Sequence, residues 1–280
     1  MNSVLTAAGR PQVVSDPFPH VVIENAFDDA VCMELLEQFP PLEVVAQGTD
    51  LGSNTRFSLP AHLAIESDAV SDLWKQVVST HVSQQFLADL IDAFGDDILR
   101  RYPSFESDFG ALDSLRAGLR QADSFDSADV LLDAQISMNS PVTGRPTSVR
   151  SSHLDDPTKL FAGLFYLRHP DDDSTGGDLE ISRYRSRRRG FRGPLVYNRF
   201  VEPVTTVRYA RGTLVLFLNT PDSLHGVTIR SRTDVPRYFV NLVAEVKQPL
   251  FTWDGFQATS VDKLIAAPEI MRRKLERVAG

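Results

Sequence analysis

The chain has 280 residues, 42% of them hydrophobic, with 16 Gly and 17 Pro spread along it, a composition that can bury a sizeable core and excludes a disordered or fibrous protein. Net charge is −8 and the pI about 5.3, so nothing suggests nucleic acid or an anionic membrane as a partner. No apolar run is long enough for a membrane span, the first residues lack the order of a secretory signal, and the single cysteine, Cys32, cannot form an internal disulfide; a cytoplasmic protein is expected.

In chain order, "FPHVVIENAF" reads as a strand, followed by a helix through "DAVCMELLEQF", capped by Asp28 and stopped by Pro40-Pro41. Between Asp68 and Phe94, Val70, Leu73, Trp74, Val77, Val78, Val82, Phe86, Leu87, Leu90 and Ile91 recur at intervals of three and four, which predicts one or two amphipathic helices. Residues 101–128 read as loop with a short helix. From Asp129 the pattern becomes β: "VLLDAQISMN", "LFAGLFYLR", "GGDLEISRY", "PVTTVRYA", "GTLVLFLN", "HGVTIR" and "RYFVNLVAEV" are short runs separated by turn residues, as in an antiparallel sandwich or barrel. A last helix, with Ser260 or Asp262 as cap, closes the chain. The expected organisation is a single α+β domain over 1–280. A mostly helical part at 17–128 packs on a β core at 129–247, and a helical segment follows at 248–280.

Two His-x-Asp pairs occur. His169-Pro-Asp171 lies in "RHPDDDSTGGD", a solvated turn by composition. His153-Leu-Asp155 stands at the mouth of a β run, where alternate residues share a face. A second histidine, His225, enters the strand that follows "GTLVLFLNTPDSL". Two imidazoles and one carboxylate on one face form a facial triad suited to non-haem Fe(II), with zinc as the rival metal. Twelve residues on, Arg237 shares one face of its strand with Phe239, Asn241 and Val243, while Tyr238, Val240 and Leu242 take the other. A guanidinium inside the sandwich needs an anion, either a protein acid or a ligand carboxylate. Gln135, Asn139, Asn219 and Asn241 are either pocket-lining amides or ordinary turn and strand hydrogen-bonders.

His153-x-Asp155, "LFYL", Gly176-Gly177 opening a strand, His225 and Arg237, in that order, resemble the double-stranded β-helix (jelly-roll or cupin-like) core of the Fe(II)/2-oxoglutarate-dependent oxygenases, especially the prolyl-hydroxylase-like branch, over about Asp129 to Val246. The resemblance implies that His153, Asp155 and His225 ligate Fe(II), that Arg237 binds the C5 carboxylate of 2-oxoglutarate, and that Tyr166 assists it. It implies a dioxygenase that consumes O2 and 2-oxoglutarate and hydroxylates a C–H bond, with desaturation or ring closure as variants. Retention of the carboxylate ligand Asp155 argues against halogenation. The interval "RSRTDVP" between His225 and Arg237 is longer than in that branch, so Arg230 and Arg232 are substitutes; both flank what reads as a solvated hairpin turn.

Residues 183–211 contain nine Arg, no Lys and one acid, a local +8 that leaves the rest of the chain at −16. "RYRSRRRGFRGPLVYNRF" is either a solvated loop with compensating charge or a rim for an anionic substrate near Arg183–Arg192, with Phe191, Tyr197 and Phe200 in apolar contact. The expected substrate is a small molecule or saccharide. The alternatives are a peptide, as for a prolyl-type protein hydroxylase, and a catalytically silent jelly-roll binding module.

Overall fold

The computed structural model describes residues 1–190, 194–253 and 257–278. The β runs after residue 129 form two sheets. The larger has the order β1 (His20–Ile23), β8 (Leu214–Leu218), β5 (Lys159–Tyr166), β10 (Arg237–Val246), β4 (Val130–Asn139), β2 (Arg56–Leu59), all antiparallel, with the short β3 (Ala117–Leu119) parallel to the start of β4. The smaller has the order β7 (Val201–Val207), β6 (Leu179–Tyr184), β9 (His225–Val227). Residues 150–153 run as a loop beside β9, where Val227 N donates to Arg150 O at 2.9 Å and an isolated bridge joins His153 to His225, His153 N donating to His225 O at 2.8 Å. From β4 onward the chain passes from the large sheet to 150–153, back to β5, across to β6 and β7, then to β8, β9 and β10. That winding defines a double-stranded β-helix.

Alternation along β10 decides which side chains face which layer. Arg237, Phe239 and Asn241 look between the sheets, while Val240, Leu242 and Ala244 look outward into the main core. Tyr166, Ile181, Val207, Tyr209, Phe217 and Phe239 fill the space between the sheets. The outer core is closed by α1 (Asp29–Glu37), the one-turn α2 (Leu42–Val45), α3 (Ala61–Glu66), α4 (Asp72–His81) and α5 (Gln84–Arg101). The periodic stretch from Asp68 resolves into two helices because Ser83 caps the second, its Oγ accepting from Phe86 N at 3.2 Å. Trp74 is wholly buried on α4, with its indole N–H donated to Leu35 O at 2.9 Å. These helices cover the outer face of the large sheet and leave the mouth of the sandwich to strand ends and loops.

Three details depart from the sequence reading. The four-residue β2 was not anticipated, and the stretch at 101–128 contains β3 as well as the short helix Phe105–Phe109. The final helix (Ser260–Val278) is capped by Thr259, not by Ser260 or Asp262. Thr259 Oγ1 accepts from Asp262 N at 3.2 Å and the Asp262 carboxylate accepts from Thr259 N at 2.9 Å, a reciprocal capping box in which Asp262 is the third residue. Among the described residues, no helix is long and apolar enough to cross a membrane.

Candidate metal centre

His153 and His225 lie directly opposite each other across the small sheet. They exchange both backbone hydrogen bonds, His153 N to His225 O at 2.8 Å and His225 N to His153 O at 3.1 Å. Opposed residues of an antiparallel pair project to the same side, and the two rings are 4.2 Å apart between centroids. Asp155, two residues past His153, returns to that side. The close pairing needs a glycine at 226: a Cβ there would fall 2.9 Å from Ser152 N and 3.2 Å from Ser151 C. On its far edge the segment is held by Leu154 N to Pro194 O at 3.0 Å and Val196 N to Ser152 O at 3.1 Å.

Each imidazole Nδ1 sits 2.9 Å from a backbone carbonyl two residues earlier, Ser151 O for His153 and Ser223 O for His225. A carbonyl only accepts, so each ring carries its proton on Nδ1 and turns an Nε2 lone pair toward Asp155. The Nε2 atoms lie 3.8 Å and 3.9 Å from the two Asp155 oxygens. Those distances fall inside the span, at most about 4.4 Å, of two bonds of about 2.2 Å to one ion. The three residues form the cluster of potential metal ligands among the described residues, and all three are buried. Burial, then the charge of His225, holds the His153 imidazole well below its ordinary range, and burial likewise lowers His225. Burial pushes Asp155 up, but Lys159, with Nζ 3.2 Å from Oδ1, together with His225, His153 and Arg150, outweighs it and keeps the carboxyl ionised. Two neutral imidazoles and a carboxylate are the protonation states a metal site requires.

The triad opens on a cavity of about 300 Å³ between the sheets, across which lies Arg237. The residue is 2% exposed, and its guanidinium is boxed by the rings of Tyr166, Tyr209 and Phe239 at 4.8, 4.7 and 5.0 Å. Among the described residues no carboxylate pairs with it, and its buried Nε and Nη2 have no hydrogen-bond partner; nor does the buried Tyr166 hydroxyl. An unpaired buried donor costs roughly 1–3 kcal/mol. These orphaned groups therefore fit an anionic ligand carboxylate, and the protein-acid alternative finds no acid. Arg230 is corrected: it is buried, not solvated, donating from Nη2 to Asp172 Oδ2 at 2.9 Å and from Nε to Ser174 Oγ at 2.9 Å. Its charge is already answered inside the fold. Arg232 is on the surface, bonded to Thr143 O at 3.0 Å.

Gln135, Asn139 and Asn241 line the cavity, Asn241 donating to Gln135 Oε1 at 2.8 Å. Asn219 is outside it and acts as a brace. Its Nδ2 donates to Asp156 O at 2.8 Å and Lys159 O at 3.0 Å, and its Oδ1 accepts from Ser223 Oγ at 3.0 Å, tying the loop after Asp155 to the loop before His225. His169 stays on its turn beside Asp171 at 3.7 Å. In the basic segment Arg183 pairs with Asp16, Arg187 and Arg189 with Asp262, and Arg188 with Asp222, and none of the four lines the triad cavity. Phe200 is buried against Leu154 and Val196, with Tyr197 packed on the same cluster, while Phe191 and Arg192 lie outside the described residues. Cavity residues that sequence reasoning missed are Arg56, Arg150 and Lys159. Lys159 alone carried a signal, four residues after Asp155 at the start of β5.

No family model matches the sequence, and no curated protein matches it. Solved structures do. A prolyl 4-hydroxylase from Phytophthora capsici is 17% identical, with 91% of this chain and 68% of that one covered and a TM-score of 0.45. The non-haem α-ketoglutarate-dependent epimerase SnoN of nogalamycin biosynthesis is 12% identical over 83% of this chain and 80% of that one, with a TM-score of 0.45. HygX from Streptomyces hygroscopicus, solved with nickel and 2-oxoglutarate, is 14% identical over 81% and 83%, with a TM-score of 0.40. The winding of the two sheets is that of a double-stranded β-helix, and the triad stands between them.

Proposed function

We propose that the protein is an Fe(II)- and 2-oxoglutarate-dependent dioxygenase that hydroxylates an unactivated C–H bond of a small molecule. The observation that carries this reading is the pairing of the His153, Asp155, His225 cluster with a buried, anion-less guanidinium at Arg237 across one cavity. Three donors on one side of an ion leave its other positions open to the cavity, the arrangement that suits iron in oxygenases better than a closed structural zinc site. Iron with 2-oxoglutarate and O2 supplies the oxidation of a C–H bond to C–OH, with 2-oxoglutarate converted to succinate and carbon dioxide.

The chain's own residues supply position and shielding. His153 and His225 hold the ion through Nε2, oriented by their Nδ1–H bonds to Ser151 and Ser223. Asp155 contributes its carboxylate. Arg237 takes the far carboxylate of 2-oxoglutarate through its free Nε and Nη2, with the Tyr166 hydroxyl as a further donor. Phe217, against His225 at 4.6 Å, and Phe239 keep water from the metal side of the cavity. A volume of about 300 Å³ stands at the small end of ligand sites, which favours a small molecule over a peptide.

Anaerobic titration of the protein with Fe(II) and 2-oxoglutarate tests the reading. A weak visible charge-transfer band is expected in wild type and its loss in His153→Ala. No band in wild type would overturn the oxygenase reading and favour a silent binding module.

A further inference from the structure

The cavity carries more positive charge than the proposed chemistry uses. Arg56, Arg150, Lys159 and Arg237 line it against one carboxylate, Asp155. An iron(II) ion and a 2-oxoglutarate dianion add nothing to that balance, so three positive charges remain in a partly desolvated pocket. Two of the four cations are already committed: Lys159 sits 3.2 Å from Asp155 Oδ1, and Arg237 faces the distal carboxylate site. Lys159 cancels Asp155, so the three charges are that of Arg237, which the co-substrate engages, and those of Arg56 and Arg150, which the proposed chemistry leaves unused.

Both arginines are at the mouth. Arg56 stands on β2, in register with Asn139 of β4, which is in turn in register with Arg237 of β10, so the three side chains share the inner face of the sheet in one row. Its guanidinium lies 5.0 Å from the Phe239 ring centroid, on the same ring that Arg237 contacts. No hydrogen bond or ion pair holds it among the described residues. Arg150 comes from the loop before His153, and among the described residues its one ion pair is with Asp155, at 3.7 Å from Nη1, an acid the metal would claim.

We infer that the substrate carries an oxyanion, a carboxylate or a phosphate, and that Arg56 and Arg150 clamp it at the cavity mouth, one from each side of the opening. This assignment rests on the oxygenase reading and deepens it, because the anion fixes which carbon of the substrate reaches the metal. Planar guanidinium forks suit such a group, and two of them orient as well as attract it. The acids that pair with the Arg-rich segment leave that segment no comparable surplus at the triad.

The experiment uses inorganic phosphate as the probe, titrated by calorimetry into wild type and into the double variant Arg56→Gln/Arg150→Gln, each with Fe(II) and 2-oxoglutarate under anaerobic conditions and again without iron. Saturable phosphate binding to wild type, weakened at least tenfold in the double variant, is expected, with the affinity for 2-oxoglutarate changed less than threefold. Equal phosphate binding by the two proteins, or none by wild type, overturns the inference while the charge-transfer band stands. A tenfold loss of 2-oxoglutarate affinity in the double variant also overturns it, because the pair would then serve the co-substrate. If the band itself never forms, the oxygenase reading fails, and the anion site is decided by the titration without iron.

Discussion

Exchange of Arg237 for methionine separates two consequences of one buried charge. In the ligand-free protein the guanidinium has three ring contacts in its favour, each worth about 0.5–2 kcal/mol, and against it desolvation and two unpartnered N–H groups. These nearly cancel, so the free variant should unfold within about 2 kcal/mol of wild type. With 2-oxoglutarate the balance differs. At a concentration one hundred times its Kd, the co-substrate stabilises wild type by about 2.7 kcal/mol. Removing one partner of a buried charge pair costs about 3–5 kcal/mol; the lower figure raises Kd roughly 150-fold, and the same concentration then stabilises the variant by only about 0.3 kcal/mol. At about 2–4 °C per kcal/mol for a domain of this size, the melting temperature should rise by about 5–11 °C in wild type and about 1 °C in Arg237→Met. Anaerobic thermal melts with Mn(II) as a redox-silent metal measure both. A variant that keeps the full 2-oxoglutarate shift would refute the assignment of this guanidinium to the co-substrate.

Arg230→Met is the counterpart: it leaves the buried Asp172 carboxylate with Ser174 N at 2.9 Å and Arg168 at 3.8 Å, so a loss of stability below about 3–5 kcal/mol is expected in urea melts, while 2-oxoglutarate affinity of the folded fraction stays put; a loss of affinity at constant stability would contradict the reading. Gly226→Ala pushes residues 151–153 away from β9, and competition with a chromophoric chelator should show metal affinity reduced at least tenfold with the circular dichroism spectrum unchanged; wild-type affinity would show that the close pairing is dispensable. His81, whose Nε2 accepts from Val4 N and whose Nδ1 donates to Val77 O, is pushed down to about 4 by burial. Its unfolded counterpart titrates near 6.5, so between pH 6.5 and 4 the unfolded chain binds the extra proton and stability falls with pH, by about 1.4 kcal/mol per unit for this histidine. In His81→Gln that share of the slope should vanish from urea-derived stabilities between pH 6.5 and 5, and an unchanged slope would sink the argument.

Sequence patterning located long strands and short ones alike, since β1 and β9 fall within "FPHVVIENAF" and "HGVTIR". "VLLDAQISMN" and "RYFVNLVAEV" coincide with β4 and β10 because each is buried along most of its length and ends in turn residues. His153 and Asp155 were legible as partners because alternate strand residues share a face, and the structure brings His225 to the same point. Arg56 was not. Its strand has four residues, two of them buried, and forms only because the end of β4 offers an open edge at 136–139. Arg230 was misread for a related reason: "IRSRTD" is polar by composition, and what buries the arginine is an aspartate 58 residues away. Local pattern reports the period of a strand, whereas the burial of a single charge is settled by which distant group meets it.

The pairing of His153 with His225 across the small sheet also has a bearing on how the ion is acquired. Two of the donors leave the ribosome seventy residues before the third, and the intervening chain must be wound through both layers before the set is complete. A half-made polypeptide thus offers only a weak, two-donor grip. Under the proposed reading, the complete three-donor set exists only once both layers have been wound together.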